Sequence, residues 1–102
     1  MRKIKVLLDY QCYPIWVYNE KGELVNNDLP PEFKNEIDIQ EILKDIQITY
    51  DSLFIDNEIE FKYRGFNNKI EECEFLNKIS KVVQLIESKV GNTYEIENRA
   101  HF

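Results

Sequence analysis

The sequence predicts an α+β two-layer sandwich, a mainly antiparallel sheet with two helices on one face and the element order βββαβαβ. Three observations lead there: apolar residues alternate with polar ones near both ends of the chain, two long stretches space them three and four apart, and Pro-Pro, Gly or Gly-Asn breaks separate the periodic segments. At 102 residues the chain has the length of a single domain, residues 1–102, and roughly 65% of the unfolded surface can be buried at that size.

Ile4, Val6 and Leu8 alternate with Lys3, Lys5 and Asp9, which predicts a first strand with one face in the core. Tyr13, Ile15 and Val17 alternate with Trp16 and Tyr18 in a second strand, and Asn19-Glu20-Lys21-Gly22 turns it into a third at Glu23-Leu24-Val25. Asn26-Asn27-Asp28 and Leu29-Pro30-Pro31 take the chain out of the sheet, because two prolines remove donors and fix φ. Ile39, Ile42, Leu43, Ile46, Tyr50, Leu53 and Phe54 then line one helical stripe. Asp38 followed by Glu41 resembles a capping box, so this helix is expected to start at about residue 39 and to end near Ile55. Ile59, Phe61 and Tyr63 alternate with Glu60, Lys62 and Arg64 and read as a fourth strand closed by Gly65, with a helical reading left open. The second helix is capped by Asn68 with Glu71 at its third position, lined by Phe75, Leu76, Ile79, Val82, Val83, Ile86 and Val90, and stopped by Gly91-Asn92. Thr93 to Asn98 reads as the last strand, and Arg99 to Phe102 as a loosely held tail.

Composition adds limits. Thirteen Ile and ten Asn against one Ala point to AT-rich codons and a bacterial or phage gene. The apolar run Val6-Leu7-Leu8 stops at Asp9, far short of a signal-peptide core, so the expected location is cytoplasmic, where Cys12 and Cys73 read as buried or half-buried thiols without chemistry. A charged fraction of 31% is too high for a membrane protein. GxGxxG, GxxxxGK, HExxH and GxSxG are all missing, and Asp56-Asn57-Glu58 fails as a calcium loop because Phe61 stands where glycine is needed. His101 is second to last, in a tail with no fixed geometry. The expectation is a non-enzyme with no cofactor and no metal.

The net charge of −6 is concentrated: residues 35–61 hold eight acidic groups and one basic, and the flanking segments are close to balance. On the first helix Asp38, Glu41, Asp45, Ile48 and Ser52 share a stripe roughly 140° from the apolar centre. Capping and the helix dipole account for Asp38 and Glu41. Asp45 and Glu41 are like charges four apart, which costs about 0.2–0.5 kcal/mol. Asp51, Asp56, Glu58 and Glu60 extend the negative region. Such a run is either a solubilising face or a surface for a basic partner. A second candidate patch is Trp16 with Tyr18, left outward if the helices cover Ile15 and Val17, or else covered by the Asn26–Pro31 segment. Nucleic-acid binding by these rings is disfavoured, because no Lys or Arg lies between Tyr10 and Tyr18.

The stretches DYQCYPIWVYNEKGELVNNDLP and LFIDNEIEFKYRGF, with the size and acidity of the whole chain, resemble the small immunity proteins paired with bacterial polymorphic or contact-dependent toxins. That resemblance implies one-to-one binding of a cognate toxin domain, often a basic nuclease, with occlusion of its active site; it assigns no residue a role. The charge pattern agrees, since a negative surface steers a cationic partner. The expected contact residues are Asp45, Ile48, Asp51, Asp56 and Glu58, with Trp16 and Tyr18 as a second patch. The competing readings are a homo-oligomeric subunit in which the Trp16 face pairs with itself as a homodimer, and a small phage-encoded regulator that mimics nucleic acid with the same acidic stripe.

Overall fold

A computed structural model describes residues 1–100 of the chain, so the reading of His101 lies outside the described residues. The elements run β1 (Arg2–Val6), β2 (Ile15–Tyr18), β3 (Leu24–Asn26), a short 3-10 turn (Pro31–Phe33), α1 (Ile37–Ser52), β4 (Phe54–Asp56), β5 (Phe61–Tyr63), α2 (Lys69–Val90) and β6 (Tyr94–Asn98). The α+β architecture with two helices over a mainly antiparallel sheet is as the sequence predicts.

The main sheet has the order β3-β2-β1-β6. β1 pairs antiparallel with β2, Ile4 opposite Val17 and Val6 opposite Ile15, while β6 runs parallel to β1 on its other side, with Ile96 opposite Ile4. The period of two sends Ile4, Val6, Ile15 and Val17 to one face, all of them buried, and leaves Lys3, Lys5, Trp16 and Tyr18 on the other. The inner face packs against Ile39, Leu43 and Ile46 of α1 and Phe75, Ile79, Val82 and Ile86 of α2. These positions recur three and four apart, so each helix turns one stripe inward. Asn27 locks the exit from the sheet. Its Nδ2 donates to the Tyr13 carbonyl at 2.6 Å and the Ile15 carbonyl at 2.8 Å, and its Oδ1 accepts from the Tyr13 N–H at 3.1 Å.

Four details differ from the sequence reading. The α1 helix starts at Ile37, with Glu36 at its N-cap and no side-chain cap, so Asp38 lies inside the first turn. There its negative charge still suits the positive end of the helix. The same helix ends at Ser52 rather than near Ile55, and Phe54-Ile55-Asp56 forms β4. The strand expected at 59–64 exists as β5, but it pairs with β4 in a separate two-stranded sheet and not with the main one. The tail is also held at its start: the Arg99 N–H donates to the Val6 carbonyl at 2.8 Å and Ala100 packs against the core. Beyond the elements, Cys73 is exposed where the sequence predicts a buried or half-buried thiol, because it lies off the apolar stripe of α2, while Cys12 is half-buried, and both are free thiols.

Candidate functional site

The acidic middle of the sequence divides in space. On α1, Asp45 and Asp51 are six residues apart and so point roughly 120° away from one another. Asp45 turns toward α2, where Lys78 pairs with it. Its charge is thus met inside the molecule. Ile48, between the two, stands 59% exposed on the outer face of the helix.

Asp51 turns the other way, to the loop joining β1 and β2. Its Oδ1 accepts from the Gln11 N–H at 2.9 Å. Gln11 has φ of 57°, a left-handed backbone that costs a non-glycine residue about 1–2 kcal/mol and needs such a partner. The preceding residue, Tyr10, donates its hydroxyl to Asp56 Oδ2 at 3.0 Å, and its own N–H is taken by the Asp9 carboxylate at 2.9 Å. Asp9, Asp51 and Asp56 therefore reach one place from a loop, a helix end and a hairpin. Three neighbouring groups register their charge. The Tyr10 phenol is pushed up by burial, by its bond to Asp56 and by the charges of Asp56 and Asp51. The Cys12 thiol is raised by burial and then by Asp9 and Asp51, and the Tyr50 phenol by burial, Asp9, Tyr63 and Asp51.

Beside these carboxylates lies an aromatic cluster. Tyr10 packs on Phe54 at 4.8 Å between centroids and on Phe61 at 5.0 Å, Phe54 stacks on Phe61 at 5.5 Å, and Tyr50 and Tyr63 meet Phe54 edge-on at 5.2 and 5.3 Å. The hairpin register explains the grouping, since Phe54 is opposite Tyr63 and Asp56 opposite Phe61, which puts these four side chains on one face. Glu58 is exposed in the turn of this hairpin. The structure thus brings Asp51, Asp56 and Glu58 to one region and adds Tyr10, Asp9, Phe54, Phe61 and Tyr63, which sequence reasoning did not place there. The signal for the rings was present in the alternation of Phe61 and Tyr63, but their partner strand was hidden in the helical spacing.

Trp16 and Tyr18 occupy a different surface, the open face of the main sheet, and both are partly buried. The Trp16 indole N–H donates to the Leu7 carbonyl at 3.0 Å, and Lys5 Nζ lies 4.5 Å from the Tyr18 ring centroid. Lys5 and Lys3 also approach the Glu97 carboxylate at 3.7 and 3.9 Å. This face meets its own charges, with the Arg99 guanidinium bonded to Glu97 at 2.7 Å.

No group of three or more His, Cys, Asp or Glu side chains with metal-binding geometry occurs among the described residues. No helix among them is long and apolar enough to cross a membrane. The site offers carboxylates, phenols and rings around a hydrogen-bonded loop, groups able to meet cationic and apolar side chains.

No curated protein matches the chain. A family model described as Serratia CdiI immunity protein-like matches residues 2–100. With nearly its whole length covered, the chain belongs to the Serratia CdiI immunity protein-like family.

Proposed function

We propose that the chain is an immunity protein that neutralises a cognate toxin domain by binding it, and that the acidic aromatic end built from Asp51, Asp56 and Glu58 with Tyr10 is the contact surface. Family membership supports the first half of this reading. The second half is carried by one observation: Asp51 from α1 and Asp56 from β4 bond to Gln11 and Tyr10, beside the loop's own Asp9, while the acid that faces α2, Asp45, is already paired with Lys78.

The partner is a basic domain of nuclease-like character, and docking covers its active site. A surface of one charge raises the rate of encounter with a cationic partner and occupies the groove that would receive phosphates. Ile48, exposed one turn before Asp51 on α1, borders this surface, whereas the Trp16 and Tyr18 face belongs to the main sheet and Asp45 to the interhelix contact. The chain works in the cytoplasm as a single domain without cofactor, catalysis, nucleic acid or membrane.

The test requires the cognate toxin domain, to be sought in the reading frame next to this chain's gene. Co-expression with the chain is expected to restore growth, and the purified pair to elute as a one-to-one complex whose affinity falls as salt rises. Toxin activity undiminished at equimolar chain, with the two proteins eluting separately, would overturn the reading.

A further inference from the structure

Hairpin β4–β5 leaves apolar surface exposed beyond what its ring cluster covers. Ile59 in its turn is 94% exposed, Phe61 56% and Tyr63 49%. Two strands of three residues are marginal by themselves, yet this pair is held at both ends. The Asn57 side-chain oxygen accepts from the N–H groups of Ile59 and Glu60 at 2.8 and 2.9 Å, and the Asn57 N–H donates to the Glu60 carbonyl at 2.9 Å. At the base the Leu53 carbonyl accepts from the N–H groups of Arg64 and Gly65 at 2.6 and 3.1 Å. A turn fixed in advance lowers the ordering cost of binding.

The charges beside the rings are unequal. Lys62 projects to the side of β5 away from Phe61 and Tyr63 and pairs with Glu60 at 3.8 Å, and the Arg64 guanidinium reaches the Ser52 carbonyl at 3.4 Å. Asp56 keeps acceptor capacity beyond its one bond from Tyr10.

We propose that the β4–β5 hairpin is the anchor of the toxin interface, and that its occupant is an arginine- or lysine-bearing loop of the toxin domain. The aliphatic stem and cation lie on the Phe61 and Tyr63 rings, and the charge meets Asp56 and Glu58. Charge complementarity selects this occupant. An aromatic face attracts a cation, and a long basic stem covers apolar surface while its head stays polar. A second copy of the chain would set carboxylate against carboxylate, and a wholly apolar partner would bury them unpaired. The inference rests on the reading of the chain as a toxin-binding protein.

Isothermal titration of the cognate toxin domain into the wild type and the variants Ile59→Ala, Phe61→Ala and Glu58→Gln tests it. Each variant is expected to bind at least about fivefold more weakly, and Phe61→Ala about thirtyfold or more, the loss typical of a central aromatic anchor. Near-ultraviolet circular dichroism reports whether Phe61→Ala keeps the ring cluster; if it does not, Ile59→Ala and Glu58→Gln decide, because their side chains are exposed. Wild-type binding with Ile59→Ala and Glu58→Gln within twofold of it would overturn the anchor and leave the immunity reading standing. Failure of the wild type to bind would overturn both.

Discussion

Replacing Asp51 separates its bond to the loop from its proposed part in docking, because alanine and asparagine remove different things. The Asp51 carboxylate accepts the Gln11 N–H at 2.9 Å and so holds a residue with φ of 57°. Hydrogen bonds to charged groups contribute about 1.5–3 kcal/mol, and the exposed setting of this one places it near 1 kcal/mol. Asp51→Ala is therefore expected to lower the melting temperature by about 4–8 °C, from the usual entropy of unfolding of a domain of this size. Asn at the same position keeps a carbonyl acceptor for Gln11 and loses only the charge, so Asp51→Asn is expected to melt within about 2 °C of the wild type. Binding responds to the charge, which both variants lose. One unit charge near a cation at about 4 Å in water contributes about 1 kcal/mol, or about fivefold in affinity, and that contribution fades as the Debye length contracts with salt. Thermal denaturation by circular dichroism and titration of the toxin domain at low and high salt measure the two effects. Asp51→Asn binding like the wild type at low salt would show that Asp51 serves the loop alone, and an unchanged melting temperature in Asp51→Ala would refute the hydrogen-bond argument.

Three further outcomes follow from the fold. Leu43→Ala, at a fully buried position between sheet and helices, is expected to cost about 2–5 kcal/mol in urea denaturation, with an unchanged slope. Asn27→Ala removes three bonds to the backbone of Tyr13 and Ile15 and is expected to cost about 2–3 kcal/mol with faster amide exchange at the β2 edge. Glu97 has a lowered pKa, chiefly through its bond from Arg99 and then the charges of Arg99, Lys3 and Lys5, against burial, which raises it. Its contribution is present above the ordinary glutamate range and disappears as pH falls through the lowered folded value. Glu97→Gln should therefore flatten the acid side of the stability profile below about pH 4, as read by urea midpoints across that range.

Much of this architecture is legible in local patterns. Strand β1, the β2–β3 turn and helix α2 follow from alternation, from Gly22 and from the Asn68 cap, whose side chain accepts the Glu71 N–H as expected. Strand β4 escapes because Leu53 and Phe54 continue the spacing of Ile46 and Tyr50, and the helix stops there only when the Leu53 carbonyl is claimed by Arg64 and Gly65. The acidity of residues 35–61 is plain in the sequence, but its division is tertiary. Asp45 meets Lys78 across the helix pair and Asp56 meets Tyr10 from the far side of the chain. Neither pairing leaves a trace in local spacing. Trp16 stands out in the sequence, and its ring nitrogen is satisfied by the Leu7 carbonyl, a bond set by the loop and not by the strand pattern.

The most direct test is a titration of the isotope-labelled chain with unlabelled toxin domain, followed by amide chemical shifts. Binding through the acidic aromatic end predicts that the largest changes fall on residues 9–12 and 51–64. Changes centred on Lys3, Lys5, Trp16 and Tyr18, with the hairpin amides unmoved, would contradict it.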